Sequence, residues 1–350
     1  MSKGTVLISG LNGFIAAVTA KHLLDNGYKV RGTVRRLLSA TPLVEGPLKS
    51  YAQSGQLSIV EVPDITVDGA FDDAVQGVTA IAHLASPVSF GFKDPEPIIH
   101  AAVNGTKSIL NSALQAGPQL KTFVYLSSIA AVMSATPAPY TFTEKDWNDW
   151  AEAKVAELGK ETPGPVIYSA SKVAAEKAFW AFRGDQKPSF TQTALNPVFV
   201  IGPPLIPPPT AADVGETIAQ IWNIFRGGDH PPAGLIAGLG TVVDVRDVAS
   251  QIEYSIAHPQ ETDGERYITS AAYSTPQSVA DILRKAFPDA RGRIVEGTPG
   301  QGYSPDYEVL DKENTPVIDG SKAKRLLEDG EYIPHEKSVI DTAKSFVHLV

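Results

Sequence analysis

The sequence contains no cysteine. That absence excludes a disulfide framework, thiolate zinc sites and a cysteine nucleophile together. It also lacks any run of about 18 uninterrupted apolar residues, the length a membrane-crossing helix needs. The richest stretch, Phe123 to Ala135, is broken by Ser127, Ser128 and Ser134. Basic residues are the minority, 30 against 39 acidic, for a formal net charge of −9. An acidic chain has no general electrostatic reason to bind nucleic acid, so neither a nucleic-acid nor a membrane partner is expected. Internal repeats, low-complexity tracts and obvious flexible linkers are missing as well. What is present is an ordinary globular composition, 43% hydrophobic and 20% charged over 350 residues. That suits roughly two units, or one large α/β unit with an appended lobe. Met1-Ser2-Lys3-Gly4 leads straight into Thr5-Val6-Leu7-Ile8, too short an apolar run for a signal peptide, so a cytoplasmic location is expected.

The first 135 residues alternate short β-rich runs with helical stretches. Strands are predicted at Thr5–Ser9, Lys29–Val34, Leu57–Val62, Ala80–Ala85 and Thr122–Leu126, with helices at Phe14–Asn26 and Glu96–Ala116. Such alternation implies parallel strands with crossover helices on both faces. Residues 136–165 are a long excursion carrying four prolines, Trp147 and Trp150, and long excursions are often functional. A helix follows at Val166–Phe182 and a sixth strand at Phe190–Asn196. Gly202 to Thr210, with five prolines, is neither helix nor central strand. Helices near 211–225, 245–257, 276–287 and 335–348 and short strands near 242–244 and 266–269 complete the chain.

Ser9-Gly10-Leu11-Asn12-Gly13-Phe14-Ile15-Ala16 joins the first strand to the first helix. Gly10 permits the tight turn, Gly13 lets a pyrophosphate approach the backbone, and Ala16 allows close helix–strand packing. The helix N-terminus then offers free N–H groups to phosphate. Gly10, Asn12, Gly13, Phe14 and Ile15 are therefore the expected cofactor cradle. Binders of NAD place an acid about 20 residues further on, for the ribose 2′-hydroxyl. Here Lys29-Val30-Arg31-Gly32-Thr33-Val34-Arg35-Arg36 contains none. Arg35, ahead of Arg36, is the expected partner of a 2′-phosphate, which makes the cofactor NADP(H). Asp64-Ile65, after the third strand, either receives the adenine amino group or forms an Asx turn. Leu84, Ala85 and Ser86, after the fourth, are small enough for a cofactor to cross, while His83 reads as a packed core histidine.

Of eleven tyrosines only Tyr168 has a lysine four residues later, Lys172. Four residues is about one helical turn, so both side chains share a face. A free phenol has a pKa near 10; a neighbouring ammonium favours the phenolate and lowers it. Tyr168 is thereby suited to give a proton to a carbonyl oxygen as hydride reaches the carbon. Ser127-Ser128 ends the fifth strand, at the sheet edge that faces the ligand crevice. A hydroxyl there stabilises developing negative charge on the substrate oxygen.

Taken together these segments resemble the extended short-chain dehydrogenase/reductases. Within them the chain is similar to the branch of plant dihydroflavonol reductases and fungal NADPH-dependent aldehyde, ketone and methylglyoxal reductases. The resemblance rests on Gly10–Ala16, Arg31-Gly32-Thr33-Val34-Arg35, His83–Phe90, Asn104-Gly105-Thr106, Tyr125-Leu126-Ser127-Ser128, Thr143–Trp147, Tyr168–Lys172 and Leu195-Asn196-Pro197, in family order. It implies a catalytic group of Ser128, Tyr168 and Lys172, with Lys172 also on the nicotinamide ribose. It places Pro197 to Val200, hence Pro197 and Val200, along the nicotinamide, and Arg35 on the 2′-phosphate. Asn104 either helps a proton relay or pins helix to strand. The chain departs from the family pattern at Ser9, where threonine is usual, in the apolar loop Leu37–Pro42, and in the prolines of Pro203–Pro209.

The fold expected is a doubly wound parallel sheet of the Rossmann type with a smaller C-terminal substrate lobe. Residues 1–200 form the dinucleotide domain, with 242–257 and 266–270 returning to it, and 201–350 form mainly the lobe. Candidate pocket walls are Val88, Phe90, Ile129, Phe199, Trp222 and Phe225, which would favour an apolar or aromatic substrate. The activity expected is NADPH-dependent reduction of ketones or aldehydes, without a metal, by a monomer or homodimer. The alternatives are a nucleotide-sugar epimerase or dehydratase, which usually needs an acid or Thr near the serine where this chain has Ile129-Ala130-Ala131, and a non-catalytic dinucleotide sensor, which commonly loses the Tyr or Lys.

Overall fold

The computed structural model describes residues 3–86, 91–228 and 240–350. Seven strands form one sheet: β1 (Thr5–Ser9), β2 (Lys29–Val34), β3 (Leu57–Glu61), β4 (Ala80–His83), β5 (Thr122–Leu126), β6 (Thr191–Pro197) and β7 (Arg266–Thr269). Their order is β7-β6-β5-β4-β1-β2-β3, and the pairs from β3 through to β6 are all parallel. This is the doubly wound Rossmann-like arrangement. The order reverses between β1 and β4, and in such sheets ligands bind outside the strand C-termini at that reversal.

Burial explains why these runs are strands. Every residue of β4, β5 and β6 is buried, the continuous pattern of strands covered on both faces. The edge strand β3 has exposed positions instead. Helices α1 (Phe14–Asp25), α2 (Pro95–Leu114) and α4 (Gly164–Gln186) lie with the sheet in the first of two compact units, where α3 (Asp149–Leu158) packs against α4. The Asp94 side chain accepts from the Glu96 N–H at the start of α2, and Pro95 occupies the first turn, where a missing N–H costs nothing. The core between sheet and helices includes Phe71, Val75, Ile81, Phe123, Tyr125 and Phe179.

That unit comprises Met1–Ala135, Thr143–Asn196 and Ala249–Tyr267; the second comprises Thr136–Phe142, Pro197–Val248 and Ile268–Val350. The excursion after Ala135 carries the ten-residue helix α3, whose first N–H groups are capped by Asn148. In the second unit, Phe199–Ile201, Gly240–Asp244 and Ala272–Ser274 form a three-stranded sheet. Two of these are only three residues long, too short for alternation to be legible. The helix expected over 211–225 is in fact divided. Thr210 and Asp213 form a reciprocal cap around one turn at Ala211–Asp213, and the helix proper is Ala219–Phe225. The last long helix ends at Lys344 rather than 348. No helix among the described residues is long and apolar enough to cross a membrane.

His335, at the start of the helix His335–Lys344, is 5% exposed and stands edge-on to Tyr307. Among the described residues neither ring nitrogen has a hydrogen-bond partner. Burial keeps the imidazole neutral, lowering its pKa to about 4 against the opposing pull of Glu336. An unfolded chain takes up this proton near pH 6.5. The folded chain resists until about 4, so stability is present at neutral pH and is lost as pH falls through that window. His335→Leu should therefore resist acid. In urea unfolding at pH 7.5 and pH 5, the advantage of the variant should grow by ~2 kcal/mol at the lower pH. Parallel pH dependence in the two proteins would refute this account.

Candidate active site

The turn after β1 follows from one backbone conformation. Gly10 has φ +70, and a Cβ there would lie 3.1 Å from the Cβ of Ala85 and 3.2 Å from its Cα. Only glycine satisfies both the left-handed backbone and the close approach of the β4 loop. Leu11 N–H then donates to the Thr33 carbonyl at 2.9 Å and Gly13 N–H to the Gly10 carbonyl at 2.9 Å. Helix α1 begins at Phe14 with no side-chain cap and no acid in its first turn. Its N–H groups and partial positive charge stay available to an anion. The corner thus fits a dinucleotide pyrophosphate, with Asn12 and Gly13 exposed and Phe14 and Ile15 half-buried.

Ser9 locks the ends of β1 and β4 together. Its Oγ accepts from the Leu84 and Ala85 N–H groups, both at 2.9 Å, and lies 2.8 Å from His83 Nδ1. With two N–H donors on the oxygen, the serine proton is left for Nδ1, so the His83 proton sits on Nε2. Burial, and then the Lys172 charge, lower the His83 pKa to about 3. His83 is a neutral core group, packed against Phe71, Phe123 and Tyr125.

Arg35 and Arg36 emerge exposed at the end of β2, and among the described residues no hydrogen bond or ion pair holds the Arg35 side chain. Asp64 takes the Asx-turn geometry: its Oδ1 accepts from the Thr66 N–H at 2.8 Å and hydroxyl at 2.7 Å. Those bonds, and further off the Arg35 charge, hold its carboxyl below the usual range. Ile65 is half-buried and its side chain comes within 3.0 Å of a Cβ built on Gly105. Leu84, Ala85 and Ser86 are half-buried beside the turn.

Ser128 follows β5 and is 8% exposed. Its Oγ accepts from the Ala130 N–H at 3.1 Å, which leaves its own O–H to donate. Tyr168 and Lys172 lie one turn apart on α4. Tyr168 is half-buried, and the Lys172 Nζ stands 5.8 Å from its ring centroid. Lys172 itself is 3% exposed. Burial pushes its ammonium down to about 8, with Glu176 pulling the other way. Tyr125, stacked between His83 and Phe179, is pushed up by burial. The described partner of the Asn104 amide is His100, one turn back along α2, at 3.0 Å.

A buried network beneath these residues carries little signal in the local sequence. The Glu176 carboxylate, 0% exposed, accepts from Arg266 Nε at 2.6 Å, Asn196 Nδ2 at 2.7 Å, Trp180 Nε1 at 3.2 Å and the Ser127 hydroxyl. Asn196 Nδ2 also donates to the Ser128 carbonyl at 3.2 Å. Arg266 donates to the Glu144 and Asp146 carbonyls, both at 2.8 Å, with its guanidinium 3.9 Å from the Trp147 ring centroid. The one available clue was spacing: Glu176 lies four residues beyond Lys172, on the same helix face.

Of the expected pocket walls, Val88 and Phe90 lie outside the described residues. Ile129 is half-buried immediately after Ser128, and Phe199 is half-buried in the short strand Phe199–Ile201. Pro197 and Val200 are buried. In the second unit Trp222 packs on Phe346, and Phe225, 1% exposed, packs on Phe287 and Phe346 beneath the Arg293 guanidinium.

Residues 6–269 match the NAD dependent epimerase/dehydratase family. The chain is 34% identical to the NADPH-dependent methylglyoxal reductase of Saccharomyces cerevisiae, over 92% of each chain. It is 31% identical to the ketoreductase azaE of Aspergillus niger, covering 92% of this chain and 91% of that one. The crystal structure of Gre2 from Candida albicans in complex with NADPH superposes with a TM-score of 0.83 at 32% identity, over 98% of both chains.

Proposed function

Since the chain belongs to the NAD dependent epimerase/dehydratase family, we propose that it is an NADPH-dependent carbonyl reductase that converts ketones or aldehydes to alcohols. The observation that carries this reading is Tyr168 one helical turn from a buried Lys172 on α4, beside a Ser128 that follows β5 in sequence, an α1 N-terminus with no cap or acid, and no acid after β2. Relatives named as reductases support it over the epimerase alternative.

When bound, reduced nicotinamide supplies the hydride. The chain does the rest. The α1 N-terminus and the Gly10 turn receive the pyrophosphate, and Arg35 receives the 2′-phosphate. Ser128 donates a hydrogen bond from its O–H to the carbonyl oxygen, keeping its own proton, and steadies that oxygen as negative charge grows. Tyr168 gives that oxygen its proton. Lys172 holds the ribose hydroxyls and keeps a positive charge beside the phenol. Ile129, immediately after Ser128, offers apolar surface to the substrate.

A panel of aldehydes, aryl ketones and α-keto esters, each assayed with NADPH and NADH, tests the proposal. Reduction of several members with NADPH, and at least tenfold weaker turnover with NADH, is expected. Tightly retained NAD and no carbonyl turnover would revive the epimerase alternative.

A further inference from the structure

Glu176 has more donors than a structural acid requires. It continues the Tyr168–Lys172 face of α4 by one turn and collects bonds from Ser127, just after β5, and from β6 and β7. Holding a charge at 0% exposure costs several kcal/mol in desolvation, and well-packed apolar residues often serve the fold as well. The charge has another use. Lys172 is itself buried, and burial opposes its ammonium. The titratable groups around it are Tyr168 and Glu176 on its own helix, His83 on β4, Tyr125 on β5 and, on the far side of Glu176, Arg266 on β7. Among these described groups Glu176 is the one acid; His83 is neutral and Arg266 is a cation.

We propose that Glu176 is a positioning residue for the reduction: through Asn196 and Ser127 it holds Ser128 in place, and its carboxylate is the buried counter-charge that keeps Lys172 an ammonium. The inference rests on the assignment of Tyr168 and Lys172 made above. It separates two kinds of variant that damage the same network. Glu176→Gln removes the counter-charge, so Lys172 should lose its proton at lower pH. Arg266→Met breaks the same ion pair but keeps the carboxylate without the opposing guanidinium charge, so Lys172 should keep its proton to higher pH.

The readout is the pH profile of kcat/KM for NADPH-dependent reduction of a simple aldehyde. In Glu176→Gln the alkaline limb should move down by about one pH unit. Activity at pH 6 should stay within about fivefold of the parent and fall more than about tenfold at pH 8.5. In Arg266→Met the limb should move upward, and Glu176→Asp should restore much of the parent profile. If both variants lose activity equally at every pH, or their limbs move in the same direction, the proposal is overturned and Glu176 is a packing residue. Should Glu176→Gln fail to fold, the direction of the Arg266→Met shift decides alone. Tyr168→Phe in parallel separates the two levels. Activity that survives without the phenol refutes the underlying assignment. Dependence on Tyr168 with unmoved limbs refutes only the role of Glu176.

Discussion

Replacing Tyr168 with phenylalanine should lower kcat for carbonyl reduction by about 10²- to 10⁴-fold, the range removed with a positioned general acid. The same change should leave NADPH affinity within about twofold, because the proposed phosphate contacts, at the Gly10 turn and Arg35, do not include Tyr168. The substitution removes one oxygen and keeps the ring that packs over the Lys172 side chain, so structural loss should be small. The alternative proton donors in this corner are poorly suited. His83 is neutral to about pH 3 and lies in the core. Lys172 lies one turn away on the same helix and, in the proposed mechanism, serves as a cation. Steady-state oxidation of NADPH with a saturating aldehyde gives kcat, and fluorescence titration of NADPH gives the binding constant. A variant that keeps more than a tenth of the parent kcat would sink the proposed mechanism.

Arg35→Gln should raise KM for NADPH by about 10- to 100-fold and leave KM for NADH nearly unchanged, since one charge-assisted hydrogen bond contributes about 1.5–3 kcal/mol. Arg35 is exposed at the end of β2, and no acid stands in that strand to receive a 2′-hydroxyl instead. The competing cation is Arg36, which is also exposed. Arg36→Gln therefore serves as the control, with an expected change of less than about threefold at rim positions of this kind. Equal effects on both cofactors, or a larger effect from Arg36→Gln, would reassign the 2′-phosphate partner. The apolar neighbours Leu37 and Leu38, 53% and 84% exposed, offer no further cation on that side.

Local order was readable because its causes are local. β1, β2 and β5 match the predicted strands residue for residue, since buried parallel strands are short apolar runs bounded by polar or glycine residues. The Gly10 turn was readable because a left-handed backbone beside a close neighbour admits one residue type. Tyr168 and Lys172 were readable because four residues is one helical turn. Where the reading failed, the reason is equally physical. Three-residue strands such as Phe199–Ile201 carry no period, and the split at 211–225 follows from Thr210 and Asp213 closing a turn on themselves. His335 reads as one polar residue on an amphipathic helix, and only burial marks it as acid-sensitive.

By itself, the order of residues determined the strands, the glycine turn after β1, the missing acid after β2 and the one-turn spacing of phenol and ammonium, because each is set by neighbours within a few positions along the chain. The tertiary structure alone decided what surrounds them. Glu176 and Arg266 are 90 residues apart in sequence and 2.6 Å apart in space, and Ser9 meets His83 across 74 residues. Such pairs leave no periodic trace, since a buried charge or hydroxyl is satisfied by whichever partner the fold delivers. Desolvation, which pulls down both Lys172 and His83, exists only once the surrounding strands and helices have excluded water.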